Sequence, residues 1–180
     1  MRLIYKLLFK IFGWKITGDI PGKLPKYIVI VAPHTSNWDF FIGLAVRSIC
    51  RMDTRYLAKK ELFGPPMGWI FRKLGGYPVD RSRRTNFVDA VVDLFNDHEK
   101  FSIAITPEGT RSYVPKWKTG FYYISLKAKV PLILASLNYE TKTVEFRPPF
   151  SPTGNIEKDL EEVIQYYRQI PGKYPELGVR

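Results

Sequence analysis

Apolar residues in this chain fall into two alternating rhythms. Residues 27–32, YIVIVA, form a short unbroken apolar run, and 55–58, 102–106, 132–139 and 143–147 are similar runs. Each is expected to be a strand with most of its side chains buried. Between them the apolar positions take helical spacing over 38–51, 67–74, 85–98, 120–128 and 156–170. In the third of these segments Phe87, Val91, Leu94 and Phe95 share a face. In the last, Ile156, Leu160, Val163, Ile164 and Tyr167 do so, and Pro171 stops the run. Short strands alternating with helices predict an α/β fold: a single domain with a largely parallel central sheet flanked by helices. In such folds ligands gather at the carboxyl ends of strands.

The N-terminal stretch MRLIYKLLFKIFGWK has a different pattern. Arg2, Lys6 and Lys10 recur every four residues as a basic stripe, and Leu3, Ile4, Leu7, Leu8, Ile11 and Phe12 fill the opposite arc. Lysines interrupt the apolar run and no small-residue cleavage site follows, which argues against a secretory signal. No run is long enough to span a bilayer as a helix. Two destinations suit the pattern: an amphipathic helix lying in a membrane interface with Trp14 at headgroup level, or a helix whose apolar face packs on the core. The turn residues DIPGKLP divide this amphipathic helix (1–18) from the body of the chain (19–180).

Charge sharpens this picture. The 180 residues carry a net charge of +11, and all of the excess lies in the first half. Residues 1–84 hold 16 Lys and Arg against 5 Asp and Glu, whereas 85–180 hold 12 of each. A one-sided excess implies a surface facing polyanions, either nucleic acid or anionic lipid headgroups. Cys50 is the chain's single cysteine. It excludes a disulfide framework and a cysteine metal site, and it reads as a helix residue packed inward.

The polar residues that interrupt these patterns cluster at strand ends. His34 follows the 27–32 strand, and Asp39 lies five residues on. Five positions along one regular helix would turn the two side chains about 140° apart. With His34 on the strand-to-helix turn and Asp39 in the first helical turn they can meet, the carboxylate holding one ring nitrogen and leaving the other as a general base. Ser36–Asn37–Trp38–Asp39 is equally a capping box, with Asp39 serving the helix's own amides. ITPEGTRS (105–112) follows another strand. There Gly109 permits a tight turn that presents amides, Thr110 and Arg111 to one region, and arginine suits a bidentate grip on phosphate. Glu108 could pair with that arginine or accept a hydrogen bond from a polyol. Lys59 and Lys60 end a third run, and Arg81 follows a fourth in LGGYPVDRSRR, where Asp80 could pair with it. His98 reads as a solvated residue at a helix end. Together the strand ends suggest one base facing a phosphate-bearing substrate.

With these residues assembled, the chain resembles the lysophospholipid acyltransferase family, of the 1-acylglycerol-3-phosphate acyltransferase type. His34 and Asp39 match its His-x4-Asp block, and Gly76 to Arg81 resemble the Gly-x4-Arg-type block. Pro107–Glu108–Gly109–Thr110–Arg111–Ser112 match the Pro-Glu-Gly-Thr-Arg-Ser block, and Val130–Pro131–Leu132–Ile133 resemble the apolar fourth block. Pro33, Thr106 and Leu134 depart from the usual Asn, Phe and Pro.

The resemblance implies a glycerol-3-phosphate acyltransferase-like fold and direct transfer of an acyl group from a thioester to a hydroxyl. In that reading His34 is the base and Asp39 orients it. Arg81 and Arg111, helped by Lys59, hold the acceptor's phosphate, and Glu108 and Gly109 position its glycerol. No cofactor or metal is implied; acyl-CoA or acyl-acyl carrier protein serves as donor. The expected partners are a membrane surface with anionic lipid, a lyso-lipid acceptor and acyl carrier protein, with no nucleic acid. The expected location is peripheral, on the cytoplasmic side of the membrane. Phe63 to Phe71, FGPPMGWIF, could line an acyl groove or simply be core. Two alternatives stand beside this reading: acylation of a non-phosphate lipid, and a non-catalytic basic protein binding anionic lipid or nucleic acid.

Overall fold

The structure, a computed structural model, describes residues 1–79 and 84–180, and of residues 59 and 84–86 the backbone alone. Apart from the N-terminal helix, every strand and helix anticipated from the pattern forms, with ends within two residues of expectation. In chain order the elements are α1 (Arg2–Phe12), β1 (Lys15–Gly18), β2 (Lys26–Ala32), α2 (Trp38–Ile49), β3 (Thr54–Lys59) and α3 (Gly68–Lys73). They continue with β4 (Gly76–Val79), α4 (Arg84–Asp97), β5 (Phe101–Ile105), α5 (Gly120–Ala128), β6 (Leu132–Asn138), β7 (Thr143–Phe146) and α6 (Ile156–Arg168).

The strands make one seven-stranded sheet in the order β1-β7-β6-β2-β5-β3-β4. β6, β2, β5, β3 and β4 are mutually parallel; β7 runs antiparallel to β6, and β1 pairs in parallel with β7. β2 therefore sits between β5 and β6, and the carboxyl ends of all three lie side by side.

Alternation along β2 sorts the core into two layers. Ile28, Ile30 and Ala32 pack with Val91, Phe95, Phe121, Ile124, Val163 and Tyr167, the layer covered by α4, α5 and α6. Tyr27 and Val29 pack with Phe9, Ala45, Val46 and Met52, the layer covered by α1 and α2. Full burial of each such side chain contributes roughly 1.5–3 kcal/mol. The buried Tyr167 hydroxyl donates to the carbonyl of Ile30 at 2.7 Å, tying α6 to β2.

The first eighteen residues are not one helix. Gly13 adopts a left-handed conformation (φ 74°) and caps α1, with the Trp14 amide donating to the Phe9 carbonyl at 2.8 Å. Lys15–Gly18 then joins the sheet edge as β1, whose register places Ile16 opposite Val144. Nor does α1 bury the arc its sequence advertises. Phe9 is buried and Tyr5 half-buried, facing α2, while Leu3, Ile4, Leu7, Leu8, Ile11 and Phe12 remain exposed. Trp14 is half-buried, its ring edge-on to Tyr139 at 5.1 Å between centroids. No helix among the described residues is long and apolar enough to cross a membrane.

Candidate functional site

β2 ends at Ala32, and the chain turns through Pro33, His34, Thr35 and Ser36 into α2. This turn is held by Asp39, whose side chain is only 2% exposed. Asp39 Oδ2 accepts from the Thr35 and Ser36 amides, both at 2.9 Å, and lies 3.0 Å from His34 Nδ1. Ser36 Oγ in turn accepts from the Trp38 amide at 3.2 Å. The capping role and the histidine-orienting role that the sequence offered as alternatives are thus filled by the same carboxylate at once.

Burial alone would raise the Asp39 carboxyl, but hydrogen bonds from His34, Tyr139 and Ser36 outweigh it and hold the group below its ordinary range. Asp39 is therefore ionised at neutral pH and can only accept. His34 Nδ1 must carry the hydrogen between them, so the neutral ring leaves Nε2 unprotonated. The ring is 14% exposed and lines a cleft of about 1030 Å³.

Parallel pairing of β5 with β2 brings the 107–112 turn against His34. Glu108 is 6% exposed, and its carboxylate oxygens lie 3.0 and 3.2 Å from the His34 backbone amide. Burial pushes this carboxyl up to about 7, opposed by the His34 amide and imidazole and reinforced by the charge of Asp39. Glu108 does not line the cleft. It fastens the β5 turn to the histidine turn.

Gly109 and Arg111 do line the cleft. Gly109 has φ 68°, a left-handed conformation that favours glycine, and a Cβ there would stand 2.4 Å from Lys118 Nζ and push that flexible side chain aside. Lys118 was missed in the sequence because it lies outside the Pro-Glu-Gly-Thr-Arg-Ser block, in PKWKTG just before α5. Its amide donates to the Pro107 carbonyl at 2.9 Å, folding the segment back over the turn. Neither Arg111 nor Lys118 has a carboxylate partner among the described residues. The exposed Thr110 accepts from the Ser112 amide at 3.4 Å. Arg81 and the side chain of Lys59 lie outside the described residues.

Tyr139, just past β6, was also missed: it read only as the end of an apolar run. Its hydroxyl donates to Asp39 Oδ1 at 2.5 Å. His98 sits at the exposed end of α4, its Nδ1 2.8 Å from the Leu94 carbonyl.

Away from His34 the cleft runs under α2, lined by Phe40, Gly43 and Val46 and by Val29, Ala135, Leu137, Val144 and Phe146 of the sheet. The 63–71 segment contributes nothing to it. Phe63 is buried against Phe71, while Met67 and Trp69 are exposed. The cleft thus brings together the His34 imidazole, two cations without a carboxylate partner among the described residues, and a largely apolar wall, with Arg47 and Arg55 also on its lining. Among the described residues no three His, Cys, Asp or Glu side chains group as metal ligands.

A family model described as Acyltransferase matches residues 17–137. The 1-acyl-sn-glycerol-3-phosphate acyltransferase of Saccharomyces cerevisiae (strain ATCC 204508 / S288c) is 30% identical over 143 residues, 73% of this chain. Those residues cover 46% of the yeast protein, so the chain spans about half the length of that curated relative. Among solved structures, the 1-acyl-sn-glycerophosphate (LPA) acyltransferase PlsC from Thermotoga maritima superposes with a TM-score of 0.58 at 22% identity. That match covers 92% of this chain and 75% of the other, and it is a likeness of fold.

Proposed function

The chain belongs to the acyltransferase family, and from that premise we propose that it moves a fatty acyl group from a thioester to the hydroxyl of a lysophospholipid. The observation that carries this reading is that His34, Asp39, Arg111 and Lys118 all meet at one cleft. His34 Nε2 takes the proton of the acceptor hydroxyl, and the oxygen attacks the thioester carbonyl. The tetrahedral intermediate collapses to the ester and releases the thiolate, which recovers the proton from the imidazolium. Asp39 keeps the ring in the right tautomer and stabilises its charged form. No acyl-enzyme forms in this route.

Arg111 and Lys118 suit the acceptor's phosphate, with Arg81 and Lys59 as further cations for it. The apolar length of the cleft suits an acyl chain, and acyl-CoA or acyl-acyl carrier protein supplies the thioester. The exposed arc of α1, with Trp38 and Phe41 exposed beside the catalytic turn, favours a peripheral seat in a membrane interface. Lys6 and Lys10 would lie among anionic headgroups there. The location proposed is the cytoplasmic side of the membrane.

The test is acyl transfer from each donor to 1-acylglycerol-3-phosphate, by the wild-type chain and by His34→Ala. A general base contributes about 10²–10⁴-fold, so the variant should lose at least that factor while melting like the wild type. Full specific activity in His34→Ala would sink the mechanism. Wild-type binding to anionic vesicles without any transfer would favour a non-catalytic lipid-binding protein instead.

A further inference from the structure

Asp39 has two carboxylate oxygens, and the mechanism above uses only one. Oδ2 serves His34 and the turn amides; Oδ1 accepts from Tyr139, 100 residues away in the chain. We propose that Tyr139 is a positioning residue for the His34–Asp39 pair, and that Trp14, at the foot of α1, holds Tyr139 in place. The proposal rests on the reading that His34 is the base.

Two further contacts hold Tyr139 in place. Behind it, the Tyr139 amide donates to the Pro171 carbonyl at 3.1 Å, anchoring the backbone to the segment after α6. Beside it, the Trp14 ring stands edge-on at 5.1 Å and 89°. Trp14 is itself packed at 6.2 Å against Phe9, the buried residue of α1. A chain of three rings therefore runs from α1 to the catalytic carboxylate. Trp14 and Tyr139 both fall just outside the stretch that the family model matches, 17–137. The hydroxyl remains a neutral donor, since burial and the Asp39 charge both oppose its ionisation.

Among the described residues, Glu108 lies under the turn, and Tyr174 contributes electrostatically at Tyr139. Arg47, Arg55, Arg111 and Lys118 line the same cleft. None of these reaches Oδ1 with a hydrogen bond. Removing the Tyr139 hydroxyl would leave that oxygen unpartnered, concentrate charge on the carboxylate and free it to rotate. The imidazolium would then be held more tightly and the ring less squarely.

The test is Tyr139→Phe, which keeps the ring and deletes the donor. Loss of a hydrogen bond to a charged group predicts roughly a tenfold fall in kcat at pH 7 with KM unchanged. The acidic limb of the rate profile should also move up by roughly half to one pH unit. NMR titration of the imidazoles should show the same rise at His34, with His98, the only other histidine, as internal reference. Trp14→Leu should move His34 the same way by a smaller amount. A Tyr139→Phe variant with wild-type kcat and wild-type His34 titration overturns the proposal, whatever its melting temperature. An unmoved His34 in Trp14→Leu overturns the part assigned to Trp14. If the wild-type chain transfers no acyl group to any lyso-lipid, the functional reading fails, while the titration still decides Tyr139.

Discussion

The two faces of the central sheet are built from similar side chains and finished differently. On the face under α4, α5 and α6, Ile28, Ile103, Phe95, Leu132 and Tyr167 pack with almost no exposure and stand off the cleft. On the face under α1 and α2, Val29, Ala135, Leu137, Val144 and Phe146 are buried too, yet they also wall a cleft of about 1030 Å³. Phe87, Val88 and Phe121 of the opposite layer reach the same cleft, so it opens past the end of the sheet as well as under α2. Apolar sequence alone therefore does not distinguish surface sealed in the core from surface left lining a cleft. Tertiary packing does.

The sharpest way to break this comparison is to truncate one residue on each face. Phe95→Ala, at a site 1% exposed, should cost about 3–5 kcal/mol in urea unfolding while leaving acyl transfer per folded molecule unchanged. Val31→Ala, on the cleft wall, should cost about 1 kcal/mol. Equal costs would mean the cleft side is as tightly packed as the other.

The next effect is a pH dependence at the seam between β2 and β5. Glu108 rises from 4.5 to about 7 on folding. The native state therefore binds more protons than the unfolded chain between those values. The associated stability is fully present below about pH 4.5 and is lost as pH rises through 7. At 1.36 kcal/mol per pH unit the term approaches roughly 3 kcal/mol. Glu108→Gln, which cannot ionise, should gain on the wild type by that order between pH 5 and pH 8 in paired urea titrations. A constant difference across that range would mean Glu108 titrates normally.

Smallest is a change that sharpens the account of the open face. Gly43 lies inside α2 and on the cleft, and a Cβ there meets nothing within 4 Å. Gly43→Ala should raise stability by about 0.5–1 kcal/mol through helix propensity alone. Gly43→Leu should keep that gain but intrude on the cleft, shifting transfer toward shorter acyl donors in a chain-length series.

Much of this architecture was legible because β2, β5 and β6 are buried on both faces and so read as continuous apolar runs. β1 was not, since four residues at a sheet edge, KITG, carry too little pattern, and Gly13 ends α1 at Phe12 instead of near residue 18 as expected. The His34–Asp39 pairing was legible from its spacing and its place at a strand end. Lys118 and Tyr139 were not, because each reaches the site through tertiary folding and neither lies in a recognisable block. Glu108 shows a subtler limit: its place in the turn was foreseen, but only packing decides that its carboxylate faces an amide instead of the cleft. The buried edge of α1 makes the same point, since Tyr5 and Phe9 are fewer than the exposed apolar residues they oppose.

The histidine turn is stitched to partners 74 residues downstream at Glu108 and 100 downstream at Tyr139. Closing such long loops is entropically costly and comes late in folding. Under the proposed mechanism, a chain still emerging from synthesis can hold β2 and α2 without a competent base. Turnover would then double as a gauge of finished assembly, silent until the last parallel strand has docked.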